Sequence, residues 1–304
     1  MGIVIMLSNQ LAALLTILID MPFSPRFLLT CAFGVASVAG AQNRRPLSAA
    51  DIDDIARLEM LEDYRQFDST ELVRLLASNH PEVRRRAAIS VGRINDRRGI
   101  ALLRAHSLDR DTSVAASVVF AIGQLKDSST VPWLDSLLNG TRTPPTVSGE
   151  AAIALGKIKT AGAREVLARF LAAGSVDGRN TMALREALLA IGRSTARGDI
   201  APIIRWTKSP SEEIRWRATW SLFRPRDPAA IATLLQMAKD KSGHVRSWAV
   251  RGLTRPQADS MHLGELAEAQ LLAAVKDDDR RVRTEAIRAL ATYADSTAVA
   301  TLIA

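Results

Sequence analysis

Four histidines, one cysteine and five tryptophans set the limits of the chemistry open to this chain of 304 residues. His80, His106, His244 and His262 are scattered and none is followed by Glu. Neither a paired His-Glu metal motif nor a zinc metalloprotease helix is therefore present. Gly156-Lys157 runs into Ile158 inside a helical pattern and is no phosphate loop. Asp277-Asp278-Asp279 lacks the glycine and the spaced oxygens of a calcium loop and reads as a helix cap. No Gly-x-Ser-x-Gly string occurs, and a lone Cys31 makes neither a disulfide nor a zinc-thiolate site. No catalytic residue, cofactor or metal site is expected within residues 1–304.

What remains is recognition chemistry. Trp206, Trp216, Trp220 and Trp248 are interleaved with Arg215, Arg217, Arg224, Arg226, Arg246, Arg251 and Arg255. Trp and Arg are the residue types that dominate binding hot spots. The partner-binding candidates are Trp248, Arg251, Trp216, Trp220, Arg217, Arg224 and Arg255, with Trp248 the leading one. Trp216 and Trp220, four apart on a helix, have a competing structural reading as filling between packed units. A second basic area, Arg84-Arg85-Arg86 with Arg93, Arg97 and Arg98, reads as a solvated face with pairing between units.

The elements that position these residues are internal repeats. The string VRRRAAISVG, from Val83 to Gly92, returns with starts at Val114, Val147, Ala183, Ile214, Val245 and Val282. Counting each start as position zero, position four is Ala87, Val118, Ala151, Ala187, Ala218, Ala249 and Ala286. Position eight is Val91, Ile122, Leu155, Ile191, Leu222, Leu253 and Leu290. The intervals between starts are 31, 33, 36, 31, 31 and 37 residues, the range of two-helix solenoid units. Apolar residues make up 47% of the chain and aromatics 5%, which suits Ala/Leu/Val-packed helices. The expected fold is all-α: a right-handed α-solenoid of about seven two-helix repeats plus an incomplete eighth.

First helices are expected near Ser69, Arg97, Ser128, Ala161, Asp199, Asp227, Gly264 and Thr297, with capping residues in each turn before the second helix. An amphipathic helix from Pro46 to Phe67, within a segment 42–68, is expected to cap the N-terminal end. At 100° per residue, positions zero, one, four, five and eight share the packed side. Positions three and ten fall on the opposite edge and predict a solvent ridge. Position six is apolar in four repeats, then becomes Trp220, Arg251 and Arg288, so the exposed surface changes character in repeats five to seven.

Residues 1–41 differ in kind. From Met21, MPFSPRFLLTCAFGVASVAGAQ has a basic head at Arg26, an apolar run and small residues Ala39-Gly40-Ala41, the pattern of a secretory signal peptide cleaved after Ala41. Residues 1–20 then read as a start-site extension. Export to the periplasm or cell envelope is the expectation, with Cys31 lost on cleavage and no stable membrane span in the mature chain. Lys and Arg number 40 against 32 Asp and Glu, a net charge of +8. In an exported chain that balance favours acidic protein or peptide partners over nucleic acid.

The Val-Arg pairs at Val83-Arg84, Val245-Arg246 and Val282-Arg283, with Ile214-Arg215, followed by Ala four on and an aliphatic eight on, resemble HEAT repeats of the PBS-lyase-like type over residues 69–304. The resemblance implies an Arg–Asp ladder between neighbouring units, interrupted where Ala115, Ser148 and Leu184 replace the Arg. The front, DIDDIARLEMLEDYRQFD with VRRRAAISVGRI, is also similar to exported bacterial proteins that join HEAT repeats to a cyclophilin-type peptidylprolyl isomerase domain. The solenoid stops partway into an eighth repeat, so a longer reading frame is expected. The expected function is a non-catalytic scaffold binding proteins or peptides in the envelope. The alternative is the substrate-holding part of such an isomerase, and a nucleic-acid-binding HEAT protein is third.

Overall fold

A computed structural model describes residues 45–175, 178, 180–194 and 198–293. The leader assigned to residues 1–41 and the eighth repeat expected from Thr297 lie outside the described residues. Six of the described α-helices begin at a side chain that accepts an otherwise unpaired amide, those that follow Asp68, His80, Asp111, Thr160, Ser242 and Asp279. Asp68 accepts from the Glu71 amide at 3.1 Å, Asp111 from Ser113 at 2.8 Å and Asp279 from Arg281 at 2.8 Å. His80 caps with its ring, Nδ1 accepting from the Glu82 amide at 3.2 Å. Asn95, Lys126 and Lys159, at φ of 62°, 52° and 60°, turn left-handed and stop the helices that precede them.

The order is α1 (Ala49–Asp63), then pairs α2 (Ser69–Leu76) and α3 (Pro81–Ile94), α4 (Gly99–Ala105) and α5 (Thr112–Leu125), α6 (Val131–Asn139) and α7 (Pro145–Ile158). The pairs continue with α8 (Ala161–Ala173) and α9 (Thr181–Gly192), α10 (Ala201–Ile204) and α11 (Glu212–Phe223), α12 (Ile231–Met237) and α13 (Gly243–Arg251). A short α14 (Arg255–Asp259) precedes the last pair, α15 (Gly264–Ala274) and α16 (Arg280–Leu290). The described residues thus form sixteen α-helices, three short 3-10 turns and no strand, the all-α solenoid that the repeats predict.

The core is written by the repeat. All residues at positions zero, four and eight, from Val83, Ala87 and Val91 to Val282, Ala286 and Leu290, are no more than 2% exposed. They meet leucines of the first helices, such as Leu72, Leu75, Leu103, Leu134, Leu167 and Leu271. Burying one such side chain is worth about 1.5–3 kcal/mol, and a solenoid sums that gain unit by unit.

One expectation needs correction, and two features add to the expected set. The first helix is shorter than Pro46–Phe67: it ends at Asp63, Arg65 turns left-handed at φ 48°, and Ile52 and Tyr64 are exposed while Leu58 and Leu61 are buried. Only the side facing α3 has something to pack on. The first helix of repeat five is one turn, Ala201–Ile204, followed by the 3-10 turn Arg205–Lys208 that buries Trp206 against α8. Finally, α14 was not anticipated; it occupies the 37-residue interval before the last repeat.

Candidate functional site

Neighbouring second helices are joined by two different devices. The first is an ion-pair ladder at position one. Arg84, on α3, sends Nε and Nη2 to the Asp109 carboxylate at 2.7 and 2.9 Å and Nη1 to the Ser78 carbonyl at 2.8 Å. Arg215 treats Asp240 in the same way at 2.8 and 3.0 Å, and Arg246 treats Asp277 at 2.8 and 2.7 Å. The geometry is bidentate, the strong form of an Arg–carboxylate contact. Burial opposes ionisation of Asp240, yet the Arg215 hydrogen bonds, the Ser242 amide and the nearby positive charges of Arg215 and Lys241 together hold its carboxyl below the usual range. Hydrogen bonds from Arg246 do the same for Asp277. Ala115, Ser148 and Leu184 leave the ladder open in repeats two to four. At Ala115 an open cleft of about 440 Å³ stands between the turns, lined by Leu108, Leu137 and Val147.

The second device is a notch. Position nine is Gly92, Gly123, Gly156 and Gly192 in repeats one to four, and each lies against position seven of the next repeat. A Cβ on Gly123 would stand 2.9 Å from the Ala154 Cα, and one on Gly156 2.9 Å from the Ala190 Cα. No real Cβ tolerates that, so glycine is what lets these helices close up. In repeat five the relation inverts: position nine is Phe223 and the small residue is Gly252, whose Cβ would meet the Phe223 Cβ at 3.3 Å.

Phe223 founds the aromatic surface that follows. Trp248 of α13 stacks on it with ring centroids 5.9 Å apart and planes 25° apart. His244, one turn earlier, accepts the Trp248 indole N–H on Nε2 at 3.1 Å and stacks on Trp216 of α11 at 5.1 Å. Burial, with Arg281 nearby, pushes the His244 imidazole below its ordinary 6.5, in keeping with an unprotonated acceptor. Arg251 lies over both Phe223 and Trp248, at 5.3 and 5.5 Å, and remains exposed. Trp220, Phe223, Arg224, Arg226, Trp248 and Arg251 line an open cleft of about 320 Å³.

The structure therefore brings most of the sequence candidates together and separates the rest. Trp216, Trp220 and Trp248 are half-buried, neither core nor fully free. Arg224 is exposed at the cleft and makes no ion pair among the described residues. Arg217 is held by Glu213 at 3.1 Å and Glu186 at 3.5 Å and lies over Trp216, so its charge is already engaged. Arg255 reaches across to the Tyr293 carbonyl at 3.0 Å and to Asp259 at 3.3 Å, away from the cleft. Trp206 is core, its indole N–H given to the Leu171 carbonyl at 3.0 Å.

Position three is not the solvent ridge that helical geometry alone suggests. The Arg86, Arg217 and Glu285 side chains are 20%, 14% and 15% exposed because each reaches a neighbouring unit: Arg86 pairs with Glu59, Arg217 with Glu186 and Glu285 with Arg251. Position ten is exposed at Arg93, Arg193, Arg224 and Arg255, but Lys157 is half-buried over the Phe120 ring at 4.0 Å. The N-terminal basic area is neutralised: Arg84, Arg85, Arg86, Arg93, Arg97 and Arg98 each meet a carboxylate.

Phe223 and His244 were missed in the sequence. A single signal was available for Phe223: it is the first residue to break the glycine column at position nine. Among the described residues no three His, Cys, Asp or Glu side chains converge as metal ligands would.

Stacked two-helix units define an α-solenoid. The chain matches the family description "HEAT repeats" over residues 106–188 and 176–254, and "PBS lyase HEAT-like repeat" over residues 83–109, and is a HEAT-repeat protein. A deoxyhypusine hydroxylase of Arabidopsis thaliana is 40% identical over 65 residues, 21% of each protein, so the chain spans about a fifth of that curated relative. Among solved structures, YibA of E. coli aligns with a TM-score of 0.56 at 17% identity, over 86% of this chain and 91% of that one. Kap95p, solved with RanGDP, aligns with a TM-score of 0.53 at 18% identity, over 81% of this chain and 38% of that one. At these identities the likeness is one of fold.

Proposed function

We propose that this HEAT-repeat protein is a non-catalytic scaffold that binds acidic segments of other proteins on the surface formed by α11 and α13. The observation that carries the reading is the stacked Phe223–Trp248 pair with Arg251 over both rings and Arg224 at the rim. It offers apolar area beside cations, in a stretch where Glu285 is the acidic partner of Arg251 at 3.6 Å. A peptide carrying Asp or Glu next to an apolar side chain matches both features.

The test compares fluorescence anisotropy of a labelled acidic peptide with that of its Gln-substituted counterpart. The acidic peptide binds and the neutral one does not. Replacing Trp248 and Arg251 by Ala weakens binding by about tenfold or more, the scale of a hot-spot pair, with an unchanged helical circular dichroism spectrum. Equal binding of both peptides, or no loss in the double variant, overturns the reading. Steeper salt dependence for duplex DNA than for the peptide would favour the nucleic-acid alternative.

The place of action in this proposal is the bacterial envelope, supported by the signal-like string from Met21 to Ala41. N-terminal sequencing of the mature protein checks it, with Gln42 the expected first residue. The isomerase-linked reading, supported by the resemblance of residues 51–68 and 83–94, puts the same surface in the service of holding an unfolded client.

A further inference from the structure

Outside the aromatic surface, one buried arginine lacks the carboxylate that meets Arg84, Arg215 and Arg246. Arg164, on α8, is 9% exposed, comparable with Arg84 and Arg215 at 5% each. Those two are met by bidentate carboxylates. Arg164 instead gives Nη2 to the backbone carbonyls of Gly198 at 3.1 Å and Asp199 at 3.2 Å, and its Nε and Nη1 have no protein partner among the described residues. Asp199 and Asp227 act on it only through space, and burial dominates, pushing its pKa down.

Arg164 borders a cleft of about 370 Å³ between repeats four and five. Lys159, Arg193 and Arg224, the residues that close α7, α9 and α11, line the same cleft. None of these three makes an ion pair among the described residues; Arg193 lies over the Trp220 ring at 5.8 Å. Asp227 is the one carboxylate in the lining, and its Oδ1 is already taken by the Ala229 amide at 3.0 Å. Four cations thus face one engaged anion. The remaining walls are apolar, from Ile191, Ile200, Ile203 and Leu222.

A basic residue at a helix C-terminus is ordinarily explained by the helix dipole. That accounts for Lys159, Arg193 and Arg224 one at a time. It does not account for a buried guanidinium whose only hydrogen-bond acceptors are two backbone carbonyls, with Asp199 and Asp227 near but not bonded to it, since a buried charge is retained only when something compensates it. Guanidinium forks match the oxygen geometry of a phosphoryl group, and the apolar walls suit a compact body attached to it. We propose that the cleft between repeats four and five is a binding site for a small phosphate monoester, with Arg164 at its floor and Lys159, Arg193 and Arg224 around its mouth.

Isothermal titration calorimetry at constant ionic strength tests this with phenyl phosphate, inorganic phosphate and acetate as probes. Phenyl phosphate saturates a single site, inorganic phosphate binds the same site more weakly, and acetate gives no saturable heat. Lys159 and Arg224 are exposed, so Lys159→Gln with Arg224→Gln leaves the melting temperature in place and weakens phenyl phosphate by about tenfold or more. Arg280→Gln, an exposed change on α16, leaves binding unchanged. Absence of saturation, equal heats from acetate, or equal weakening by Arg280→Gln overturns the proposal. Arg224 borders both clefts, so residues that line only one separate the two sites: Trp248→Ala weakens the acidic peptide and leaves phenyl phosphate alone, whereas Lys159→Gln does the reverse.

Discussion

Repeats two to four and repeats five to seven follow one plan and hold together by different means. In the first group the glycine notches at Gly123 and Gly156 bring second helices against Ala154 and Ala190, and position one carries no arginine. In the second group the notch is filled by Phe223, and Arg215–Asp240 and Arg246–Asp277 pin the units from the turn side. Close backbone approach gains dispersion contacts and closes the surface. Giving it up at Phe223 lets aromatic rings reach the open cleft that Trp248 and Arg251 also line. The difference teaches that a repeat becomes a candidate for recognition where its packing code is broken, provided that another device keeps the units in register.

The sharpest way to break this contrast is to remove one ladder arginine. Arg215→Ala strands the buried Asp240 carboxylate and costs about 3–5 kcal/mol, read by urea denaturation. Gly156→Ala is the matching lesion in the other group. It forces the second helices apart where the added Cβ would lie 2.9 Å from the Ala190 Cα, and costs about 1–3 kcal/mol by the same measurement. Arg215→Ala proving milder than Gly156→Ala would mean that the ladder is not what holds repeats five to seven.

A third prediction concerns pH. The folded state depresses the His244 pKa, through burial first and Arg281 second, with Glu212 and Asp279 opposing. The unfolded chain therefore binds the proton more readily, and the stabilisation is present in full above the ordinary 6.5 and is lost as pH falls through the folded value. Protonated Nε2 can no longer accept from Trp248, so tryptophan fluorescence changes over that range in the wild type and not in His244→Gln. The ladder titrates separately: Asp277 sits below its ordinary 3.8, so its share persists above that value and disappears in stronger acid.

The smallest effect belongs to the exposed pairs. Arg169 meets Asp135 across two units at 2.8 Å, but its side chain is 57% exposed. Arg169→Gln changes stability by about 0.2–1 kcal/mol, and less at high salt.

Much of the fold was legible because its code is local. Val83, Ala87 and Val91 recur at helical spacing, and the capping acids at Asp109–Asp111 and Asp277–Asp279 mark the turns without reference to anything distant. The interruption at Ala115, Ser148 and Leu184 was equally readable. The candidate surface was legible only in part. Trp248 and Arg251 stood out by departing from their columns, whereas His244 looked like one more scattered histidine, and Arg217 and Arg255 looked as available as Arg224. Nor did helical geometry reveal that position three turns inward, because the carboxylates that draw it there sit on neighbouring repeats.

The sequence by itself determined which residues are buried at positions zero, four and eight, since periodicity fixes the face and apolar character fixes its burial. Only the tertiary structure decided which charges are spent and which are left over. Arg84 and Asp109, or Arg246 and Asp277, are 25 and 31 residues apart along the chain and 2.7 Å apart in space. Pairing is a property of neighbours across the stack, so the same Arg is a structural pin at 215, a shield over Trp216 at 217 and, among the described residues, a cation without an ion pair at 224. No periodicity along one helix distinguishes them.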